Sequence, residues 1–293
     1  MSIETHDLTH VYRDGTRALD GVSLEIGGAF GLVGPNGAGK TTLMRILATL
    51  LRATSGKATV REVPVERARE VRSVLGYLPQ HVDFYPTLSA IETLEYFALL
   101  SEVTPSRRHL RELLDRVGLT EVERQRVGGF SGGMKRRLGL AVALVHDPEV
   151  VIVDEPTSGL DPEGRLEVRR ALSVLGAERT VLLSTHILPD VETTCSRMAV
   201  LHKGKIRFVG SPAELAARAR GKLFQVRVPR AAIGAFEQEH AVISLRYDGD
   251  LAIARVLWED GDLAWPGEPV EPSVEDGYFY LLHRKDTGSE RGS

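Results

Sequence analysis

The chain has 293 residues, of which 42% are hydrophobic, and its 37 Lys and Arg against 40 Asp and Glu give a formal net charge of -3. This length and composition allow one large globular domain or two modest ones. The charge balance disfavours nucleic-acid binding through overall charge. The single cysteine, Cys195, excludes a disulfide-stapled fold and a multi-thiolate metal site, and we interpret it as a small buried apolar residue.

The sequence lacks the patterns typical of a secretory signal and of a membrane-spanning helix. Ionisable side chains interrupt the first 12 residues, at Glu4, His6, Asp7 and His10. The longest run without charged or polar side chains, residues 26–35, is rich in glycine, whereas a spanning helix needs about 20 apolar residues. We therefore expect a chain that is not exported and does not cross a bilayer by itself.

The first elements change from a β-like to an α/β pattern. Short β-like segments at residues 3–8 and 22–26, separated by turn formers, predict a small antiparallel layer. Residues 30–33 then form an apolar run that enters a glycine-rich turn, and residues 40–50 carry leucine and isoleucine at helical spacing. The predicted order is a strand, a loop of a length that could bind a phosphate group, and a helix.

Residues 85 to about 147 are predicted to be a mainly helical subdomain. Ser89 and Glu92 are spaced as a capping box in front of a helix, and a second helix should run from about residue 104 to Gly118. Beyond this region, residues 150–153 are apolar and β-branched, which is typical of a strand buried on both faces.

The pattern beyond residue 153 predicts a parallel sheet followed by a small appendage. Residues 181–183 repeat the buried-strand pattern after a helix whose apolar positions include Leu166, Val168, Leu172 and Leu175. These strand and helix alternations place a first domain at residues 1–215. Later β-like runs and a Pro/Gly/Glu-rich turn at residues 265–272 predict an α+β domain at 216–283, and we expect a disordered tail at 284–293.

A phosphate-binding pattern follows the first apolar strand. It consists of Gly34, Pro35, Asn36, Gly37, Ala38, Gly39, Lys40 and Thr41. The glycines let backbone N–H groups converge on phosphate oxygens at a helix N-terminus, Lys40 would reach the β and γ phosphates, and Thr41 would ligate magnesium. We count Thr42 with the nucleotide-binding residues. A chance glycine-rich turn is the alternative, which the position between apolar strand and apolar helix disfavours.

Two adjacent acids end the buried strand at 150–153. Asp154 would hold magnesium, and Glu155 would act on the attacking water as a base or orienter. The alternative is a solvated acidic turn before Pro156. The phosphate loop upstream favours the functional interpretation, because carboxyl ends of neighbouring parallel strands meet at one sheet edge.

Three further motifs complete an ordered series. They are Ser131-Gly132-Gly133-Met134 before a helix, Ser158-Gly159-Leu160-Asp161, and His186 after a strand. With the phosphate loop and the 150–156 segment, they make residues 3–215 resemble the ATP-binding cassette (ABC) family of ATPases. The resemblance implies a P-loop NTPase core of ABC type in the α/β class, with the antiparallel layer, the helical subdomain and the α+β appendage.

The resemblance also implies a role for individual residues. Tyr12 would stack on adenine, Gln80 would sense the γ-phosphate and bind magnesium, and His186 would contact the γ-phosphate. Ser131, Gly132 and Gly133 would bind the nucleotide held by a second cassette, with Asp161 at the contact between the two. The catalytic set would be Glu155, His186, Gln80 and Lys40. Two ATP molecules with Mg²⁺ would be enclosed by a dimer.

The motif at residue 131 is similar to that of the drug-export, daunorubicin-resistance-like branch. Met134 and Phe130 differ from the glutamine and leucine most common in the family, which leaves the backbone donors unaffected. The basic run 135–137 follows. We interpret this run as a solvated helix start, since three charges without interleaved aromatic residues are weak support for a nucleic-acid contact.

The expected function is ATP binding and hydrolysis in a membrane transporter that exports drugs or other hydrophobic compounds. Expected partners are a separate transmembrane permease, which residues 84–118 would contact, and a second copy of the chain, at the cytoplasmic face of the membrane. A soluble cassette ATPase acting on nucleic acid or ribosomes is the alternative, and a non-catalytic ATP-gated module is a third. The sequence does not indicate which substrate is transported, and no motif indicates the role of the C-terminal appendage.

Overall fold

The computed structural model describes residues 2–258 and 265–283. It divides into two compact units, the first ending at Val209 and the second starting at Gly210. The domain boundary placed after residue 215 by the sequence falls within the helix Pro212–Ala217. The tail expected at residues 284–293 lies outside the described residues.

The first unit combines two sheets with helices. Its strands are Ile3–Val11 (β1), Arg17–Ile26 (β2), Ala29–Val33 (β3), Ser55–Val60 (β4), Val63–Pro64 (β5), Leu75–Leu78 (β6), Val150–Asp154 (β7), Thr180–Thr185 (β8), Arg197–His202 (β9) and Lys205–Gly210 (β10). Its helices are Lys40–Leu47 (α1), Ala68–Val74 (α2), Ala90–Leu100 (α3), Arg107–Arg116 (α4), Gly132–Ala143 (α5), Pro162–Glu178 (α6) and Leu188–Thr194 (α7).

The antiparallel layer has the strand order β2-β1-β4-β5. Side chains on β2 alternate between buried and exposed, and Val22, Leu24 and Ile26 enter the core. This alternation is typical of a sheet with one solvated face. The predicted antiparallel layer is therefore confirmed, and it is extended by β4 and β5, which the sequence analysis did not predict.

The second sheet has the order β10-β9-β3-β8-β7-β6. The pairs β3–β8, β3–β9, β6–β7 and β7–β8 are parallel. All five residues of β7 are buried, as its β-branched run predicted. In this register Val33 faces Thr185 and Asp154 faces Ser184, so the carboxyl ends of β3, β8 and β7 lie at one edge.

The helical region is built as the capping residues indicate. In α3, Ser89 Oγ accepts the N–H of Glu92 at 3.3 Å, and the Glu92 carboxylate accepts the N–H of Ser89 at 2.8 Å. Ser106 and Ser131 cap α4 and α5 through the side-chain oxygen alone, without a reciprocal bond from a carboxylate. The capping box is therefore confirmed, and residues 85–147 are mainly helical. None of the described helices combines the length and apolar character needed to span a bilayer.

Two single-residue expectations have different outcomes. On α6, Val168, Leu172 and Leu175 are buried, but Leu166 is 41% exposed, so its assignment to the apolar face was wrong. Leu166 and Leu172 are six residues apart and therefore lie on different faces of the helix, so that Leu166 is on the solvent side. Cys195 is buried as predicted, and burial raises the pKa of its thiol to about 11.

The second unit is an α+β arrangement, as predicted. Its elements are Pro212–Ala217 (α8), Leu223–Pro229 (β11), Ile233–Glu239 (α9), Ala241–Asp248 (β12), Leu251–Leu257 (β13), Gly267–Pro269 (β14) and Val274–His283 (α10). The sheet order is β12-β13-β11-β14. Helix α10 approaches α8 so closely at Gly277 that a Cβ there would lie 2.0 Å from the carbonyl oxygen of Leu215.

Candidate functional site

The candidate site lies at the carboxyl edge of the parallel sheet. The loop after β3 leads into α1, β7 ends at Asp154, and His186 follows β8 directly. Gln80 follows β6 at the same edge, because β6 pairs in parallel with β7. Ligands of open α/β sheets bind at this edge, where loops leave strands that run in the same direction.

Glycine is required in the loop after β3. Gly37 and Gly39 have φ angles of 77° and 107°, in the region that L side chains rarely adopt. A Cβ on Gly39 would also lie 2.3 Å from the carbonyl oxygen of Ala18. Gly39 is the N-cap of α1, and Leu43 N–H donates to its carbonyl at 3.0 Å. The loop therefore places unhindered amides at a positive helix end, which suits an anion.

Lys40 is a buried cation at the start of α1. Its side chain is 6% exposed, and Nζ donates to the carbonyl oxygens of Gly34 at 2.6 Å and Pro35 at 3.3 Å. Nζ also lies 3.4 Å from Glu155 Oε1. A buried ammonium with carbonyl and carboxylate partners is held at a fixed position beside the loop amides.

Both carboxylate oxygens of Glu155 have a side-chain partner. Oε1 faces Lys40, and Oε2 lies 2.7 Å from Nδ1 of His186. The backbone N–H of Glu155 donates to the carbonyl oxygen of Ser184 at 3.1 Å. Glu155 has a φ angle of 49°, an uncommon conformation for a residue with a Cβ. The end of β7 therefore fixes both the backbone and the carboxylate of Glu155.

Asp154 supplies a fully buried carboxylate next to Glu155. Ser184 Oγ donates to its Oδ1, while Oδ2 has no hydrogen-bond partner in residues 2–258 and 265–283. Leaving a buried carboxylate oxygen unpaired is costly, so this atom suits a cation or a water molecule bound to one. Burial and the charge of Asp154 together raise the pKa of Tyr77 to about 12.

Tyr12, Thr41 and Gln80 were also assigned to the nucleotide or its magnesium ion, and none of them bonds to Lys40, Asp154 or Glu155 in the described chain. The Tyr12 hydroxyl shares a hydrogen bond of 3.0 Å with Thr42 Oγ1, and its ring packs edge-to-face on His10. Thr41 is exposed beside the loop. Gln80 is half-buried, and its main-chain oxygen accepts a hydrogen bond from Arg136.

Ser131 and Asp161 form a second group. Each is a helix N-cap: Ser131 Oγ accepts the N–H of Met134 at 3.2 Å, and Asp161 Oδ1 accepts that of Gly164 at 2.8 Å. The N-termini of α5 and α6 meet at a cleft of about 450 Å³ that includes Gly132 and Gly133. No hydrogen bond or ion pair joins Ser131 or Asp161 to Lys40, Asp154 or Glu155 in the part of the chain described.

The arginines of the 135–137 run were not predicted to make structural contacts. Arg137 is buried, donates to the carbonyl oxygens of Val117 and Gly118, and lies 2.9 Å from Glu167. Arg136 is half-buried and also bonds main-chain carbonyls. The interpretation as a solvated helix start was therefore wrong. The third member, Lys135, is half-buried without a side-chain hydrogen bond or ion pair to the described residues.

Asp190 was also missed. This residue of α7 has a side chain that is 1% exposed, and it accepts a hydrogen bond from Thr157 Oγ1, two residues after Glu155. Its Oδ1 lies 3.7 Å from Arg169 Nη1 of α6. The Asp190 carboxylate therefore connects the segments that follow Glu155, Asp161 and His186.

Replacing Asp190 with Ala should destabilise the first unit by about 2–4 kcal/mol, because Thr157 and Arg169 lose a buried acceptor. Urea unfolding followed by circular dichroism measures this change. Glu192→Ala is the matched control, since Glu192 is exposed on the same helix, and it should change stability by less than about 0.5 kcal/mol. Equal effects of the two substitutions would contradict the structural role of Asp190.

Comparisons with known proteins find relatives that match most of the chain. The family model described as ABC transporter matches residues 19–158. An uncharacterized ABC transporter ATP-binding protein of Synechocystis is 38% identical over 97% of this chain and 85% of its own length. The daunorubicin resistance ATP-binding protein DrrA2 of Streptomyces coeruleorubidus is 36% identical over 94% of this chain and 93% of its own length.

A solved structure shares the fold. The dimeric ATP-binding cassette MJ0796, bound to ADP and Pi in a post-hydrolysis state, aligns with a TM-score of 0.65 at 24% identity. The alignment covers 71% of this chain and 98% of that one. This likeness confirms the predicted fold class. The two relatives, which match more than nine tenths of this chain at 36–38% identity, show that it belongs to the ABC transporter family, of which it is an ATP-binding, ATP-hydrolysing subunit.

Proposed function

We propose that this chain powers the export of drugs or other hydrophobic compounds through a separate transmembrane permease, from the cytoplasmic face of the membrane. The contact of Glu155 with both Lys40 and His186 beside the glycine loop is the observation that carries the catalytic part of this proposal. The relative DrrA2, named for daunorubicin resistance, supports the direction and the class of cargo. Nothing favours the nucleic-acid alternative.

The glycine loop and the first turn of α1 would bind the triphosphate of ATP. Backbone amides of Gly37–Thr42 at the α1 N-terminus would donate to phosphate oxygens, together with Lys40 Nζ. The Lys40 contacts with two carbonyls and Glu155 keep its ammonium within the loop. Tyr12 is linked to α1 through Thr42, and we assign its ring to stacking on adenine.

Asp154, Thr41 and Gln80 would hold Mg²⁺. The unpaired, buried Oδ2 of Asp154 fits this ion, and among the described residues no group of three or more His, Cys, Asp or Glu side chains is arranged to hold a metal ion by itself. A small number of protein ligands is enough for magnesium, because water and phosphate supply most of its coordination. When bound, Mg²⁺ neutralises charge that develops on the phosphoryl oxygens.

Glu155 would accept a proton from the attacking water or orient it. Its strained backbone and two side-chain partners fix the direction of its carboxylate, which a general base needs. His186 donates from Nδ1 to this carboxylate, because an ionised carboxylate only accepts hydrogen bonds. The other ring nitrogen of His186, Nε2, is assigned to the γ-phosphate, to which it donates only when both ring nitrogens carry hydrogen.

A second copy of the chain would complete each site. Ser131, Gly132 and Gly133 at the N-terminus of α5 would bind the γ-phosphate of ATP held by the partner, with Asp161 at the contact. The N-termini of α5 and α6 converge at this cleft, which favours binding of an anion there. In the described chain, no hydrogen bond or ion pair connects Ser131 or Asp161 to Lys40. ATP would hold the two copies together, and loss of the γ-phosphate would let them separate.

The permease would contact the helical region at residues 84–118. Tyr85, Leu99 and Leu100 are large apolar side chains exposed there, at 57%, 75% and 60%. Exposed apolar side chains that cluster are typical of interaction surfaces. Movement within this region would transmit the nucleotide state to the permease.

Transport in vesicles tests the proposal. The chain is purified with the permease that accompanies it from solubilised membranes, the complex is placed in vesicles with the ATPase outside, and daunorubicin uptake is followed by fluorescence. We expect uptake that requires ATP and disappears with Glu155→Gln. Uptake that is independent of ATP, or absent although the complex hydrolyses ATP, would contradict the export of this class of compound.

A further inference from the structure

Arg136 joins the loop that carries Gln80 to the helix that starts at Ser131. From α5, its Nη1 donates to the carbonyl oxygen of Pro79 at 2.8 Å, and its Nη2 donates to that of Gln80. A guanidinium holds two donors in one rigid plane, so it can bond two successive carbonyls at once. A lysine at this position offers one compact donor group in place of that fork.

A second contact fixes the same loop to α5. Gly139 lies almost one helical turn after Arg136, and a Cβ there would lie 2.7 Å from Leu78 Cδ1 and 3.6 Å from Val82 Cγ2. Leu78 and Val82 flank Gln80 on either side. The segment of residues 78–82 therefore contacts one side of α5 at two positions along the helix, Arg136 and Gly139.

The charges of two carboxylates of the site, Asp154 and Glu155, also act on Arg136. Burial lowers its pKa, and the charges of Asp154 and Glu155 oppose that effect. The cation is therefore retained inside the protein by the carbonyls of the loop and by the negative charges of the site. The contacts of Arg136 thus connect α5 to the main chain of residues 79 and 80.

We infer that Arg136 is a positioning residue of the ATPase site: it binds the main chain of Gln80 to α5, so that Gln80 and Ser131 move as one unit. This inference rests on the proposed function, in which Gln80 responds to the nucleotide of its own copy and Ser131 binds that of the partner. A change at one nucleotide is thereby transmitted to the contact with the other, through one helix and one side chain.

A double-mutant cycle tests this inference in the full-length chain, at a protein concentration where turnover per subunit no longer rises. The variants are Arg136→Gln, Gln80→Ala and the two combined, and kcat and KM for ATP are measured for each. We expect Arg136→Gln to lower kcat roughly 10-fold with KM within about threefold. In the Gln80→Ala background, it should lower kcat by less than about twofold, because the positioned side chain is already absent.

Two further variants separate positioning from charge and from folding. Arg136→Lys keeps the charge and should lower kcat by roughly two- to fivefold, so it also serves if Arg136→Gln does not fold. Lys135→Gln removes a neighbouring charge without a side-chain bond and should leave kcat within about twofold. Thermal unfolding establishes that each variant is folded.

The outcomes distinguish this inference from the proposed function. If Arg136→Gln lowers kcat by the same factor with and without the Gln80 side chain, Arg136 does not act through Gln80 and the inference is wrong. If Arg136→Gln leaves kcat unchanged, it is wrong as well. If Gln80→Ala alone retains full turnover, the role proposed for Gln80 fails first, and the inference fails with it.

Discussion

Replacing Glu155 with Gln should lower ATP turnover by about 10²–10⁴-fold, while the Kd for ATP stays within about threefold. The amide retains an oxygen that can accept the hydrogen bond from His186, but it cannot take a proton from water. The ion pair with Lys40 is also lost, which leaves the ammonium free to face the phosphates. Phosphate release and equilibrium binding of a fluorescent ATP analogue measure the two quantities.

Glu121→Gln is the control for that substitution. Glu121 is exposed in a short 3-10 turn of the helical region, and the same chemical change there should leave turnover within about twofold. Turnover near the wild-type rate in the Glu155→Gln chain would contradict the assignment of Glu155 as the base or orienter.

Replacing Lys40 with Ala should weaken ATP binding by about 2–4 kcal/mol, which raises the Kd roughly 30- to 1,000-fold. The reason is that the buried ammonium is the one cation held inside the glycine loop by its carbonyl oxygens, among the residues described. Without it, the triphosphate would meet the Glu155 carboxylate with no compensating charge. Titration calorimetry measures the affinity.

Lys57→Ala is the control, because Lys57 is exposed on β4 and its loss changes net charge equally. Its effect on the Kd should stay within about twofold, since an exposed charge is screened. A Lys40→Ala chain that binds ATP within twofold of wild type would show that the loop amides alone determine affinity.

The fold could be predicted where residue type and periodicity coincide. The β-branched run of β7 and the Ser89–Glu92 capping box are local signals, and the structure has both. Strands β4 and β5 were missed because one is mostly polar and the other has two residues. Helix α1 ends at Leu47 rather than residue 50, because Thr49 adopts a φ angle of 61° that a helix does not allow.

The placement of the candidate site could be predicted in part. Local pattern singled out Lys40, Asp154 and Glu155, and the family resemblance singled out His186. The sheet brings these four residues to one edge, while their roles stay predictions. Arg136 and Asp190 were not found. Their partners lie 56 and 33 residues away in sequence, and no local pattern indicates such side-chain contacts.

The mass of the Glu155→Gln chain in solution, measured by light scattering, tests most directly the claim that two copies enclose ATP. The protein should be a dimer with Mg²⁺-ATP and a monomer with ADP. Adding Ser131→Arg should restore the monomer although ATP still binds, whereas Ser106→Arg, which removes an equivalent helix cap on α4, should leave the dimer intact. A monomer at saturating Mg²⁺-ATP, or a dimer that persists with Ser131→Arg, would contradict the account.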